Sequence, residues 1–152
     1  MIAERGYHLQ YGAPISGSLE LNCPLVFEDR SLIMTPFTHG LRLASFTEFS
    51  STQAPADPRK WATLQRHARD LGLEQASMSA SMWLGSRPTL PDYLPAIGRS
   101  KSVQNLILAT GHNHLGVTLA ALTGQLVAQL ATQQAPSIDL AALSPQRYLP
   151  KF

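Results

Sequence analysis

Residues 114–132, HLGVTLAALTGQLVAQLAT, are apolar almost all the way round a helical wheel. Leu115, Leu119, Leu122, Leu126 and Leu130 form a bulky row, and Val117 and Val127 widen it. Gly116, Ala120, Gly124 and Ala128 recur at every fourth position and make a smooth ridge on another side. A helix of this kind needs neighbours on two sides. Thr118, Thr123, Gln125 and Gln129 interrupt the stretch, which favours a buried helix in a water-soluble protein over a membrane span.

The rest of the chain offers few partners for such a helix. The first half reads as strands: GYHLQYG alternates, as does SLELNCPLVFED through Leu19, Leu21 and Cys23, and SLIMTPF and GLRLASFTEFS follow. The turn signals APISGS, EDRS and FTHG separate them. Asp57 and Pro58 open a second helix, DPRKWATLQRHARDLGL, with Trp61, Leu64, Ala68 and Leu71 on one stripe and Gly72 as the stop. Strand-like ASMSASMWLGSRP comes next. Pro88, Pro91 and Pro95 then mark RPTLPDYLPAIGRS as a rigid loop, and NLILAT is a short buried strand. The tail SIDLAALSPQRYLPKF reads as an extended arm. The expectation is an α+β fold: an antiparallel sheet from residues 4–50 and about 76–87, a helix over 58–71, and a long helix over 114–132.

With 152 residues, 44% of them hydrophobic, the chain is long enough for one real core. Its net charge of +2 and scattered arginines form no nucleic-acid stripe. The single cysteine excludes an internal disulfide, and the N-terminus lacks a signal-peptide core. GxGxxG, P-loop and GxSxG patterns are all absent.

Two features carry chemistry. The turn Thr110-Gly111-His112-Asn113-His114-Leu115-Gly116 leads from a strand into a helix, with no carboxylate in the first turn. Unpaired amides there suit an external acceptor, an anion or an electron-rich ring. Equally, Asn113 caps the helix and Gly111 makes the turn. Metal binding by His112 and His114 has no completing ligand set, and His8 and His39 stand alone in strand contexts. The second feature is Arg87, at the end of a strand among small and apolar residues. It is either a two-pronged clamp for a substrate carboxylate, or a surface arginine or an internal partner of Asp92.

ERGYH, GLRLASFTEF, WLGSRPTLPDYLPAIGRS, NLILATGHNHLGVTLAALTGQLVAQL and the ending IDLAALSPQRYLPKF together resemble the C-terminal half of FAD-dependent D-amino-acid dehydrogenases. The wider group is the D-amino-acid oxidase and glycine oxidase superfamily, and the resemblance runs in order from about residue 4 to residue 150. It implies a substrate-binding domain over 1–100 and a C-terminal portion of the FAD domain over 101–152. It also implies Arg87 on the substrate carboxylate. The flavin's pyrimidine side would meet Gly111, His112, Asn113, His114, Leu115, Gly116 and Thr118. Arg5-Gly6-Tyr7-His8 matches a segment crossing back near the cofactor. No residue is assigned an acid–base or metal-binding role.

The resemblance further implies oxidation of a D-amino acid by hydride transfer to FAD. Since the family's nucleotide-binding half carries GxGxxG, this chain is expected not to retain FAD by itself. A second chain would supply that half, and the uncovered 114–132 ridge would drive homo-oligomer formation. The expected location is the cytoplasm, peripheral to the inner membrane face. The alternative is a cofactor-free, inactive domain that self-associates or binds small carboxylates.

Overall fold

The computed structural model describes residues 2–12, 21–73 and 80–148. The turn signal at 13–18, Leu19, the strand expectation over 76–79 and the last four residues of the tail lie outside them. The fold combines an antiparallel sheet with two helices, as the alternation and the Asp57-Pro58 signal imply. The chain divides into two compact units: Arg5–Ser86, and Met1–Glu4 with Arg87–Phe152.

The Arg5–Ser86 unit is built on a five-stranded sheet. Its strands are β1 (Ile2–Gly12), β2 (Leu25–Phe27), β3 (Leu32–Phe37), β4 (Gly40–Ser50) and β5 (Ala80–Thr89), in the spatial order β2-β3-β4-β1-β5. Thr38 and His39 turn β3 into β4, with Phe37 opposite Gly40 and Ile33 opposite Ala44. Alternate residues go to opposite faces of a strand. That period buries Tyr7, Leu9 and Tyr11 of β1 with Leu32, Met34, Leu41 and Leu43. Gly40 sits at φ +134°, where a side chain would collide with the Tyr11 carbonyl, so the close approach of β1 and β4 requires glycine.

Helix α1 (Pro58–Asp70) covers this face with Leu64 and Ala68. The Asp57 carboxylate accepts the Arg59 amide at 3.0 Å, Pro58 occupies the first turn, and Gly72 at φ +70° ends the helix. Trp61 meets the Tyr7 ring edge to face, with centroids 5.1 Å apart.

The second unit contains β6 (Ala96–Arg99), β7 (Ile107–Thr110) and α2 (Ala120–Ala131). β6 and β7 pair antiparallel, Ala96 opposite Thr110 and Arg99 opposite Ile107. Three expectations are corrected here. The segment 87–99 is not one rigid loop: Arg87–Thr89 end β5, and Ala96–Arg99 form β6. Proline is tolerated in β5 because that strand is the sheet's edge. The tail is not extended, since 141–143 and 145–148 wind into 3₁₀ turns.

The long helix is also shorter than the apolar pattern suggests. It begins at Ala120, not 114, because Asn113 adopts φ +43° and the β-branched pair Val117-Thr118 sits in a run of turns. Gly116 therefore falls outside the helix, and its ridge starts at Ala120. Leu126 is buried, whereas Leu122, Gly124 and Ala128 are exposed.

Candidate active site

Strand β5 places Arg87 and Thr89 on one face, two residues apart. Both reach Glu4 near the start of β1. Arg87 Nη1 donates to Glu4 Oε1 at 3.2 Å, and the Thr89 hydroxyl donates to Glu4 Oε2 at 2.8 Å. Glu4 is 6% exposed and Thr89 1%, while a third of the Arg87 side chain remains open to solvent. Its Nη2 and Nε make no hydrogen bond to a described residue. The anticipated Asp92 partner is a correction: Asp92 pairs with Arg147 at 2.7 Å, and Arg87 pairs with Glu4.

The Gly111–Thr118 turn lies beside the same strand end. Thr89 and His112 form an antiparallel bridge, and the Asn113 amide donates to the Pro88 carbonyl at 3.4 Å. Gly111 stands at φ +80° with the Leu90 side chain packed where a Cβ would project. The turn thus requires glycine by its backbone angle as well as by space.

Asn113 does not cap α2, which starts seven residues later. Its Oδ1 accepts the His114 amide at 2.6 Å, and its Nδ2 donates to the Tyr93 carbonyl at 3.2 Å. His112 Nε2 lies 3.0 Å from the Thr123 hydroxyl and is thereby held against α2. His114, Leu115, Gly116 and Thr118 are exposed. The amides of Gly116, Val117 and Thr118 donate to no described backbone or side-chain group. These three successive N–H groups, unpaired among the described residues, lie in the turns before α2 and can donate to an anion or a carbonyl oxygen.

The loop next to the turn is pinned from the other side. Arg147 donates to Asp92 and to the Leu94 carbonyl, and Tyr148 also bonds Asp92. The Arg147 guanidinium first, and then the Tyr148 hydroxyl, hold the Asp92 carboxyl well below the usual carboxylate range.

The residues of the crossing segment serve the core. Arg5 is 1% exposed and donates to the carbonyls of Ser51, Ala54 and Pro55, while the Tyr7 hydroxyl donates to Glu48 at 2.8 Å. His8 stacks on Trp83 at 4.6 Å. Burial and then the nearby Arg42 lower its pKa to about 4. Among the described residues no cluster of metal-ligating side chains occurs, and no helix is long and apolar enough to cross a membrane.

Sequence reasoning missed Glu4 and Thr89. Thr89 had a signal, since it shares a strand face with Arg87. Glu4 had one only in retrospect: it is a carboxylate in a strand whose following residues alternate into the core.

A strand-borne arginine with two donors unpaired among the described residues thus stands next to a turn with unpaired amides. Comparison with known proteins shows the family. The sequence pattern of the DAO family, FAD dependent oxidoreductase, matches residues 1–130, and the chain belongs to that family. It is 32% identical over 150 residues to a D-amino-acid oxidase of Bradyrhizobium diazoefficiens, an alignment spanning 96% of this chain and 35% of the relative. It is 36% identical over 115 residues to D-amino acid dehydrogenase 2 of Mesorhizobium japonicum, spanning 74% and 27%. Glycine oxidase from Geobacillus kaustophilus superposes with a TM-score of 0.80 at 26% identity, over 97% of this chain and 40% of that one. The chain therefore spans about a third of the length of its curated relatives.

Proposed function

We propose that this chain forms the substrate side of an FAD-dependent oxidoreductase acting on a D-amino acid. The observation that carries the reading is the Thr89–His112 bridge, which sets Arg87 and the Gly111–Thr118 turn side by side. Arg87 presents Nη2 and Nε to the substrate carboxylate and fixes the amino acid by that end. The amides of Gly116, Val117 and Thr118 face the pyrimidine edge of the flavin. Their donors fit carbonyl oxygens and gain strength from a developing negative charge. When bound, FAD supplies the hydride acceptor. Reaction then requires positioning of the substrate Cα more than an acid–base side chain.

These residues fit the ring but not the diphosphate, for which the 152 residues contain no glycine-rich turn. The chain by itself does not retain FAD in this reading, and a second segment with the nucleotide-binding fold completes the site. Residues through β6 serve the substrate, and β7 with α2 belong to the FAD side. A specific test is to co-express the chain with a nucleotide-binding half and follow flavin bleaching under anaerobic conditions. D-alanine should bleach the flavin and L-alanine should not. Equal bleaching by both would contradict the proposal, as would stoichiometric flavin in the chain purified alone.

A further inference from the structure

The geometry points to Glu4 as a positioning residue that sets which charge class of carboxylate Arg87 accepts. This rests on the reading of Arg87 as the carboxylate-binding group and goes beyond it. A lone arginine attracts carboxylates in proportion to their negative charge. Here the arginine is already paired: Glu4 takes Nη1 at 3.2 Å, and the Thr89 hydroxyl holds the other oxygen of that carboxylate at 2.8 Å. Glu4 is fixed in place, being 6% exposed with both oxygens engaged. The Arg87–Glu4 pair has no net charge, yet it keeps two directional donors, Nη2 and Nε.

Two consequences follow. The engaged Nη1 restrains the guanidinium plane, so the ligand meets donors in one orientation. A net-neutral zwitterion then forms the same directional bonds as a simple carboxylate without adding negative charge beside Glu4. A mono- or dicarboxylate must add that charge, and repulsion from Glu4 offsets part of its attraction to Arg87. The site therefore favours zwitterionic amino acids over simple acids of similar size. A carboxylate held by a threonine and an arginine of the same strand has this effect without touching the ligand.

Titrating the 152-residue chain with D-alanine, propionate and glutarate, while following the Arg87 Nε–H signal by NMR, tests this. In the native chain glutarate should bind no more tightly than D-alanine. Glu4→Gln keeps the shape, an acceptor for Arg87 and a donor for Thr89, and removes only the charge. It should shift the glutarate-to-D-alanine affinity ratio towards glutarate by about tenfold, the size expected for one partly screened charge nearby. Thr89→Val keeps both charges and should leave the ratio within about twofold. Ligands that reach Arg87 with a ratio unmoved by Glu4→Gln would overturn the role of Glu4 and leave Arg87 standing. A native chain that prefers glutarate more than about tenfold would overturn it too, whether or not the variant folds. If none of the three ligands perturbs Arg87, and Arg87→Leu changes nothing, both the role of Glu4 and the carboxylate reading fail together.

Discussion

Arg147 grips Asp92 through two nitrogens, Nε at 2.7 Å and Nη2 at 3.2 Å. The same Nη2 also reaches the Leu94 carbonyl, so the 145–148 turn is tied to the loop whose Tyr93 carbonyl receives Asn113. The tie has a sign in pH. The ionised Asp92 is favoured in the fold and its pKa lies below the ordinary value of about 3.9. Its stabilising contribution is complete above that value and is lost as pH falls below it. Amide exchange at residues 145–148 should rise by about tenfold in Arg147→Ala at neutral pH. The native chain should show the same loosening only below about pH 4. Exchange that is the same in the native chain and the variant at neutral pH would refute the tie.

Gly111→Ala places a side chain at φ +80° against Leu90. The substitution should cost about 1–3 kcal/mol in a denaturant titration. Adding Leu90→Ala should relieve the collision but not the backbone strain, so the double variant should recover only the steric part. A cost below about 0.5 kcal/mol, the range of ordinary surface changes, would show that the turn does not depend on glycine.

His8 carries the opposite lesson about charge. Its folded pKa of about 4 lies below the unfolded value of about 6.5, so the unfolded chain binds more protons between them. Stability should fall as pH drops through that window and level off below it. Denaturation at pH 7 and at about pH 4.5 should show a smaller difference for His8→Gln than for the native chain. Identical differences would mean that burial against Trp83 does not suppress the charge.

The surface of α2 that includes Ala120, Gly124 and Ala128 is open, and a Cβ on Gly124 would meet nothing within 4 Å. We propose this face as the contact for the nucleotide-binding segment, and in the isolated chain for a second copy. Light scattering should give more than a monomer, and Gly124→Leu should lower the association. A clean monomer at all concentrations would refute self-association.

Much of this was written locally in the sequence. The Asp57-Pro58 start and the 3.6-residue stripe through Leu64 and Ala68 announce α1, and the period-two burial of Leu41 and Leu43 announces β4. Apolar periodicity overran the start of α2, because composition does not reveal that Asn113 turns left-handed and delays the helix to Ala120. β6 was hidden behind three prolines, since its pairing with β7 is made across a loop of seven residues, 100–106. In the site, Arg87 and the Gly111 turn stood out by residue type. Glu4 did not, because its partners lie 83 and 85 residues away and nothing local marks a long-range ion pair.

In the proposed function Arg87 holds the substrate carboxylate beside the flavin. The most direct test is anaerobic flavin reduction by D-alanine, in the enzyme assembled from this chain and a nucleotide-binding segment, compared between the native chain and Arg87→Lys. Lysine keeps the charge and loses the planar fork. The expected kcat/KM is lower by about tenfold or more, roughly 1.4 kcal/mol of transition-state binding, arising mainly from a weaker substrate constant. A change of less than about threefold, with the substrate dependence unaltered, would contradict it.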